Sequence, residues 1–124
     1  MKPLTCLSWL IVTVLALCLV GCKREQRVDA TKPLQQSFES AGPEVQEAIT
    51  KVNACLKANN IEEATKTLAG VVSQRALNDS QRQALGLALQ QINQAVAANP
   101  SLDTKEMYQL RAQLFRTFDR GPRL

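Results

Sequence analysis

The spacing of apolar side chains divides the chain into an uncharged N-terminal run and a series of amphipathic segments. Residues 4–20 carry no charge and are mainly apolar. Beyond residue 32, apolar positions recur at intervals of three and four, the spacing that places side chains on one face of an α-helix. No alternating run rich in Val, Ile and Thr occurs outside the N-terminal run, so the sequence predicts an all-α domain without a sheet.

Four amphipathic helices are predicted, after a short helical piece at 33–40 in which Leu34 and Phe38 share one face. The start signals of the four helices are Pro43, Asn60 with Glu63, Asn78 with Gln81, and Asp103 with Glu106. Their apolar stripes are Val45, Ala48, Ile49, Val52, Cys55 and Leu56; Ile61, Ala64, Leu68, Val71 and Val72; Ala84, Leu85, Ala88, Leu89, Ile92, Ala95 and Val96; and Met107, Leu110, Leu114 and Phe118. Because the connections are short, consecutive helices become antiparallel neighbours. We therefore expect a small antiparallel bundle of two stacked helical hairpins.

Finer predictions concern single positions in these helices. Gly70 lies inside the second helix, where it costs about 1 kcal/mol relative to Ala, and so it indicates a close helix crossing. Glu47 and Lys51 have the i,i+4 spacing of an ion pair. The third helix is the longest and most apolar, and we expect it at the centre of the bundle. Its outer face is rich in amides that suit either protein contact or solvent exposure: Gln90, Gln91, Asn93 and Gln94.

The N-terminal run ends in a small residue and a cysteine, and a charged segment follows. Its length lies between those of a secretory signal and a membrane-spanning helix, so an uncleaved anchor is the alternative to a signal peptide. The segment Leu19-Val20-Gly21-Cys22 resembles the lipobox of bacterial lipoproteins. The resemblance implies that Cys22 receives a diacylglyceryl group, that the signal peptide at 1–21 is cleaved, and that the new amino terminus is acylated, for example with palmitate.

The residues after the lipobox bear on the location of the protein. Lys23 follows Cys22, and by resemblance to the sorting rule of Gram-negative lipoproteins a residue other than Asp implies transfer to the outer membrane, facing the periplasm. The segment as far as residue 32 is charged and aperiodic, as in a disordered spacer. The predicted organisation is a signal peptide at 1–21, a lipidated cysteine and flexible tether at 22–32, a helical domain at 33–119 and a basic tail at 120–124.

The turn between the first two predicted helices has a weaker resemblance. Residues 57–64, together with Leu68, are similar to the turn of a tetratricopeptide hairpin. The preceding helix lacks the aromatic and glycine landmarks of that family, and no second copy follows 34 residues later. The resemblance therefore implies a local helical hairpin and not a repeat array.

Charge is concentrated at the two ends of the chain. The protein has 15 Lys and Arg against 11 Asp and Glu, and the five bases and five acids between Glu44 and Asn99 cancel. This pattern of basic chain ends is more typical of a protein that contacts anionic lipid headgroups than of one with a nucleic-acid-binding groove. At the C-terminal end, Arg116, Arg120 and Arg123 lie near Phe115 and Phe118 and suit phosphate contact. A basic helix end favoured by the helix dipole is the alternative.

Cysteine placement argues against a disulfide framework. Cys6 and Cys18 lie in the N-terminal run and Cys22 is the expected lipid site, so Cys55 is the single thiol that remains after processing. We expect Cys55 to be a small buried residue, with pairing between molecules as the alternative.

The residues for common enzyme mechanisms are missing. The chain contains no His, the commonest general base and metal ligand, and no phosphate-binding Gly loop or paired metal-ligand spacing. The acidic positions Glu62, Glu63, Asp103 and Glu106 fit helix N-terminal electrostatics. We expect no enzyme activity, cofactor, metal or nucleic-acid partner.

The sequence thus predicts a lipoprotein that is held to a membrane through Cys22 and acts as a non-enzymatic protein-interaction module, with a protein partner in the cell envelope. A self-associating structural lipoprotein, with the third or fourth helix packing between copies, is the first alternative. A carrier of lipid or a small apolar ligand is the second.

Overall fold

The structure, a computed structural model, describes residues 26–120 of the chain. Its elements are α1 (Thr31–Ser37), α2 (Pro43–Lys57), α3 (Ile61–Val72), α4 (Asp79–Ala98), a 3₁₀ turn (Pro100–Leu102) and α5 (Lys105–Asp119). No strand occurs within residues 26–120, and the predicted all-α class is confirmed. The signal peptide, Leu19-Val20-Gly21-Cys22 and residues 121–124 lie outside the described residues.

The four longer helices pack as two hairpins, and the short helix α1 packs against both of them. Helix α2 packs against α3, α4 packs against α5, and α3 contacts α5 across the two hairpins. Helix α1 lies against both α2 and α4 and closes the bundle on its other side. Leu34 and Phe38 are fully buried there, as their shared face predicts. The helix begins at Thr31 and not at Pro33.

A larger fraction of the residues is buried in α3 than in α4. Six of its twelve residues are buried, against six of twenty in α4. The prediction that α4 occupies the centre of the bundle is therefore wrong. Helix α3 is also more apolar on average than α4, so α4 is the longest helix but not the most apolar one, and its length does not show how many of its sides are covered.

The apolar stripes form one core. The largest fully buried side chains come from every helix and are Phe38, Leu34, Leu68, Leu85, Ile92, Met107, Leu114, Val52, Val72 and Thr65. Ala48, Cys55, Val71, Ala95 and Leu110 are partly buried, so the stripe positions at the edges of the faces are less covered than the centres. Cys55 packs against the core but keeps partial exposure.

Two buried polar side chains were missed because they interrupt the apolar pattern. Asn53 donates from Nδ2 to the Thr31 carbonyl (2.9 Å) and so joins α2 to the start of α1. Thr65 donates its hydroxyl to the Ile61 carbonyl (2.7 Å) one turn earlier. Such bonds offset the cost of burying the Asn53 amide nitrogen and the Thr65 hydroxyl, whereas Asn53 Oδ1 is buried without a hydrogen-bond partner among the described residues.

Helix starts agree with the sequence prediction at Pro43 and Asn78, while Asn60 and Asp103 do not make the predicted side-chain caps. The Gln81 N–H donates to Asn78 Oδ1 (2.8 Å) and the Asn78 N–H donates to Gln81 Oε1 (3.1 Å), which is a complete capping box. Asn60 makes no side-chain cap. At α5 the capping residue is Thr104, which accepts from the Met107 N–H (3.1 Å), instead of Asp103.

The two predicted acidic caps form ion pairs instead. Glu63 accepts from Lys51 Nζ (3.0 Å) across the α2–α3 hairpin, so Lys51 pairs with the neighbouring helix and not with Glu47. Asp103 accepts from Arg111 Nη2 (2.6 Å). In both cases a long basic side chain from another turn or helix reaches the carboxylate, which local spacing cannot show.

The prediction of a close crossing at Gly70 is wrong, and the close approach lies at Gly86. No side chain lies within 4 Å of a Cβ placed at Gly70. A Cβ at Gly86 would lie 2.9 Å from Cε2 of Phe118. The absence of a side chain at Gly86 therefore lets the Phe118 ring lie against α4. Phe118 is 38% exposed, so it covers the surface of α4 instead of completing the buried stripe of α5.

Candidate interaction surface

The segment before α1 is attached to α4. The Val28 N–H donates to Gln94 Oε1 (3.0 Å) and the Ala30 N–H donates to Gln91 Oε1 (2.9 Å). Gln94 Nε2 in turn donates to the Gln26 carbonyl (3.3 Å), and Ala30 is fully buried. The prediction of a flexible tether at 22–32 is therefore wrong for residues 28–32, while residues 22–25 lie outside the described part of the chain.

Asp29 holds the turn into α1. Its Oδ1 accepts from the Thr31 hydroxyl (2.6 Å) and from the Thr31 N–H (3.0 Å). These two hydrogen bonds stabilise the charged carboxylate, and they lower the pKa of Asp29 below its ordinary value. The direction in which the chain enters the bundle is thus set by α4 on one side and by a local turn on the other.

A groove runs along α4 beside this attachment. Its floor is one stripe of α4 and its wall at one end is the C-terminal half of α5, with a volume of about 720 Å³. It is lined by Gly86, Leu89, Gln90, Asn93, Gln94, Ala97, Ala98, Phe115 and Phe118. Gln94 takes part both in the groove and in the attachment of the N-terminal segment, so the two features are continuous.

The groove carries no charged side chain. Residues 83–102 contain no Asp, Glu, Lys or Arg, although Gln83, Gln90 and Ala97 on this stretch are exposed. The nearby Arg111 is held by Asp103 (2.6 Å) and donates to Asn93 Oδ1 (3.2 Å). Depletion of charge is the compositional mark of the central part of protein–protein interfaces.

Three aromatic side chains of α5 are exposed. Tyr108 is 66%, Phe115 55% and Phe118 38% exposed, and the ring centroids of Phe115 and Phe118 lie 6.5 Å apart at a tilt of 43°. A contiguous exposed apolar patch marks a candidate interaction site, whereas single exposed apolar side chains are common. Phe115 and Phe118 form one wall of the groove.

In comparisons with known proteins, no family model matches the chain, and no curated protein or solved structure matches it. The functional inference therefore rests on the geometry of this surface and on the motif at Cys22.

The residues predicted from sequence are brought together in part. Phe115, Arg116 and Phe118 lie on the last turns of α5, and Arg120 directly follows the helix. Both arginines are exposed, and Arg123 lies outside the described residues. The amides of the outer face of α4 divide into two roles that the sequence does not distinguish. Gln91 and Gln94 hold the N-terminal segment, whereas Gln90 and Asn93 line the open groove together with Gln94, which takes part in both.

The perturbed acids are explained by neighbouring donors. Lys51 donates a hydrogen bond to Glu63 and so lowers the pKa of Glu63, and the same contact raises the pKa of Lys51.

Within residues 26–120, no group of three or more His, Cys, Asp or Glu side chains is placed to hold a metal ion. None of the helices in this range has the length and apolarity needed to cross a bilayer.

Proposed function

We propose that the protein is a bacterial lipoprotein, held by lipid on Cys22 to the outer membrane and facing the periplasm, whose helical body is a non-enzymatic protein-interaction module. The groove of α4 and α5 is its interaction surface. The observation that carries this proposal is the uncharged, aromatic-walled groove on a helix that also holds the incoming N-terminal segment.

The position of the groove relative to Cys22 supports a partner at the membrane. Gln26 lies four positions after Cys22, a distance of at most about 14 Å when the chain is extended. The Gln26 carbonyl accepts from Gln94, which lines the groove. A lipid on Cys22 would thus keep the groove close to the bilayer, where other envelope proteins are also confined and their effective concentration is high.

The charge and packing of the body favour protein interaction over nucleic-acid binding and over a lipid carrier. A groove without cations has little attraction for the phosphates of a nucleic acid. A lipid carrier needs an enclosed apolar cavity, whereas the space between the hairpins is filled by Leu68, Met107 and Leu114, all fully buried. Self-association through α4 would use the same groove as the proposed interaction surface.

The lipid anchor is tested by Cys22→Ser, with Cys55→Ser as the matched control. We expect Cys22→Ser to abolish lipid labelling and to leave unprocessed precursor, while Cys55→Ser is labelled and processed like the parent. Labelling and intact mass together report the outcome. Mature, membrane-bound protein at the parental level in Cys22→Ser would contradict the anchor.

The groove is tested by photocrosslinking in intact membranes. A photoreactive amino acid at Gln90 lies in the groove, and one at Glu62 lies on an exposed position of α3 outside it. We expect a defined crosslinked species from Gln90, identified by mass spectrometry, and none from Glu62. Equal capture from both positions, or none from Gln90, would count against the groove as the interaction surface.

A further inference from the structure

We propose that the occupant of the groove is a second copy of this chain, packed so that the two α4 helices run antiparallel about a two-fold axis. This inference rests on the proposed function, because it takes the groove as the interaction surface. It specifies the partner, the register of the two helices and the residues that meet.

The order of side chains along the groove is self-complementary. An antiparallel two-fold centred between residues 91 and 92 places Gly86 opposite Ala97 of the second copy, and Gln90 opposite Asn93 of the second copy. Both pairs are equidistant from that centre, and all four residues line the groove. The same patch on both molecules is what a two-fold interface requires.

The two ends of the groove have complementary shapes. At the Gly86 end, the rings of Phe115 and Phe118 stand above α4, and Phe118 occupies the space above Gly86. At the other end the lining consists of Ala97 and Ala98, whose side chains leave the groove shallow. The two-fold therefore brings the aromatic end of each copy to the small-residue end of the other.

The polar groups in the middle can pair across the axis. Asn93 Oδ1 already accepts from Arg111 (3.2 Å), which orients its Nδ2 group as a donor. The exposed amide of Gln90 offers an acceptor, so each Asn93 can donate to the Gln90 of the second copy. Two such bonds would satisfy the central amides when water is excluded.

The uncharged groove and the position of the N-terminal segment are both compatible with the association of two identical copies. A charge close to the axis of a two-fold interface lies near its own copy, and like charges there oppose binding by several kcal/mol. The uncharged stretch at 83–102 avoids this repulsion. The two N-terminal segments are related by the same axis. With that axis perpendicular to the bilayer, both Cys22 residues lie at one height and can enter one membrane.

Disulfide crosslinking of the full chain in membranes tests the register. In a Cys55→Ser background, Gln90→Cys and Ala97→Cys each add one thiol on the groove. From the 1.5 Å rise per residue, the two copies of residue 90 are offset by about 4–5 Å along the helices, and those of residue 97 by about 16 Å. A disulfide needs Cα atoms within about 7 Å.

We expect Gln90→Cys to form a disulfide dimer and Ala97→Cys to remain monomeric. Dimers from both variants would indicate parallel helices, and dimers from neither would indicate no self-association; either result overturns the proposal. The Cys55→Ser parent is the control for the anchor. A dimer in this parent reports an unmodified Cys22 or leader thiol and contradicts the proposed lipid anchor, while the comparison of the two groove positions still decides the register.

Charge substitutions distinguish a second copy from a membrane surface. In a two-fold interface, Gln90→Glu and Gln90→Lys both place like charges near the axis, so we expect both to weaken the dimer by roughly tenfold or more. Gln109→Glu and Gln109→Lys, at an exposed position of α5 outside the groove lining, should leave it unchanged. The mass of the lipoprotein in detergent reports the dimer, and flotation with anionic vesicles reports lipid contact. Stronger vesicle binding by Gln90→Lys together with an unchanged mass would mean that the groove faces lipid, and would overturn the proposal.

Discussion

Two glycines on neighbouring helices provide a test of how the groove is built. Replacing Gly by Ala inside a helix stabilises it by about 0.8–1 kcal/mol, because the glycine backbone loses more conformational freedom on folding. Gly70 on α3 is exposed and no side chain lies within 4 Å of an added Cβ. We expect Gly70→Ala to increase the free energy of unfolding by the whole of that amount.

The same change at Gly86 has an opposing effect. The added Cβ would lie 2.9 Å from the Phe118 ring, so the ring must move away from α4 and lose part of its packing there. Burying a phenylalanine fully contributes about 1.5–3 kcal/mol, and Phe118 is about three-fifths covered. The loss of part of this packing offsets the gain in helix propensity, so Gly86→Ala should stabilise the protein less than Gly70→Ala does, or destabilise it.

The assay is urea unfolding of the leader-free chain, followed by circular dichroism at a helix wavelength. Since a change of 1 kcal/mol moves the midpoint of thermal unfolding by about 4–8 °C in a domain of this size, heating gives a second readout. In a Phe118→Ala background the obstacle at Gly86 is gone. Gly86→Ala should then stabilise the protein by about as much as Gly70→Ala does. Equal effects of the two substitutions in the parent, or no change in the effect of Gly86→Ala when Phe118 is removed, would refute the packing of Phe118 on α4.

Three further predictions concern the core, a helix cap and an ion pair. Leu89→Ala should destabilise the protein by about 2–5 kcal/mol because that side chain is 8% exposed, whereas Leu87→Ala, at 37% exposure, should change the urea midpoint little; similar losses would mean that α4 is rotated. Asn78→Ala removes the side-chain cap of α4 and should lower the free energy of unfolding by about 0.5–2 kcal/mol, and an unchanged value would argue against the capping box. The folded pKa of Glu63 is lowered by the hydrogen bond from Lys51, so this pair stabilises the protein above the ordinary carboxyl value of 4.5 and ceases to do so as the pH falls through the lower folded value. A Lys51→Met variant should therefore lose less stability than the parent between neutral pH and pH values below that range, and parallel pH profiles would argue against the pair.

The sequence was sufficient to predict which face of each helix is buried. The spacing of Val45, Ile49, Val52 and Leu56 on α2 is a property of the chain itself, and all four are buried. Proline and asparagine at the helix starts act within one turn, and for that reason the bounds of α2 and the cap of α4 were also predictable. Interactions between residues close in sequence depend on geometry that every α-helix shares.

The partners of polar side chains were not predictable in the same way. Lys51 has an acid four residues before it and another across the hairpin, and the structure selects Glu63. The amides of Gln91 and Gln94 bind backbone groups more than sixty positions away in the chain. A long side chain can reach many atoms, so its partner depends on how the helices pack, and the polar composition of the N-terminal segment alone suggested a free tether.

Phe118 shows where periodicity stops being informative. It stands eleven residues after Met107, so the helical repeat points both side chains in nearly the same direction. Met107 is fully buried and Phe118 is not. The repeat predicts a direction but not whether another element covers that part of the helix, and at Phe118 the covering element is the backbone of α4 at Gly86.

The lack of charge on α4 from residue 83 onward is not explained by folding. Lys and Glu have helix propensities about equal to that of Gln, and exposed substitutions usually change stability by no more than about 0.5 kcal/mol. Helix α2, which is also half exposed, carries Glu44, Glu47, Lys51 and Lys57 on its outer positions. A stable and soluble bundle could therefore carry charges at Gln83, Gln90 or Ala97 as well. Charges at these positions would instead impair association with an uncharged surface. In a two-fold arrangement, that surface is the groove of the second copy.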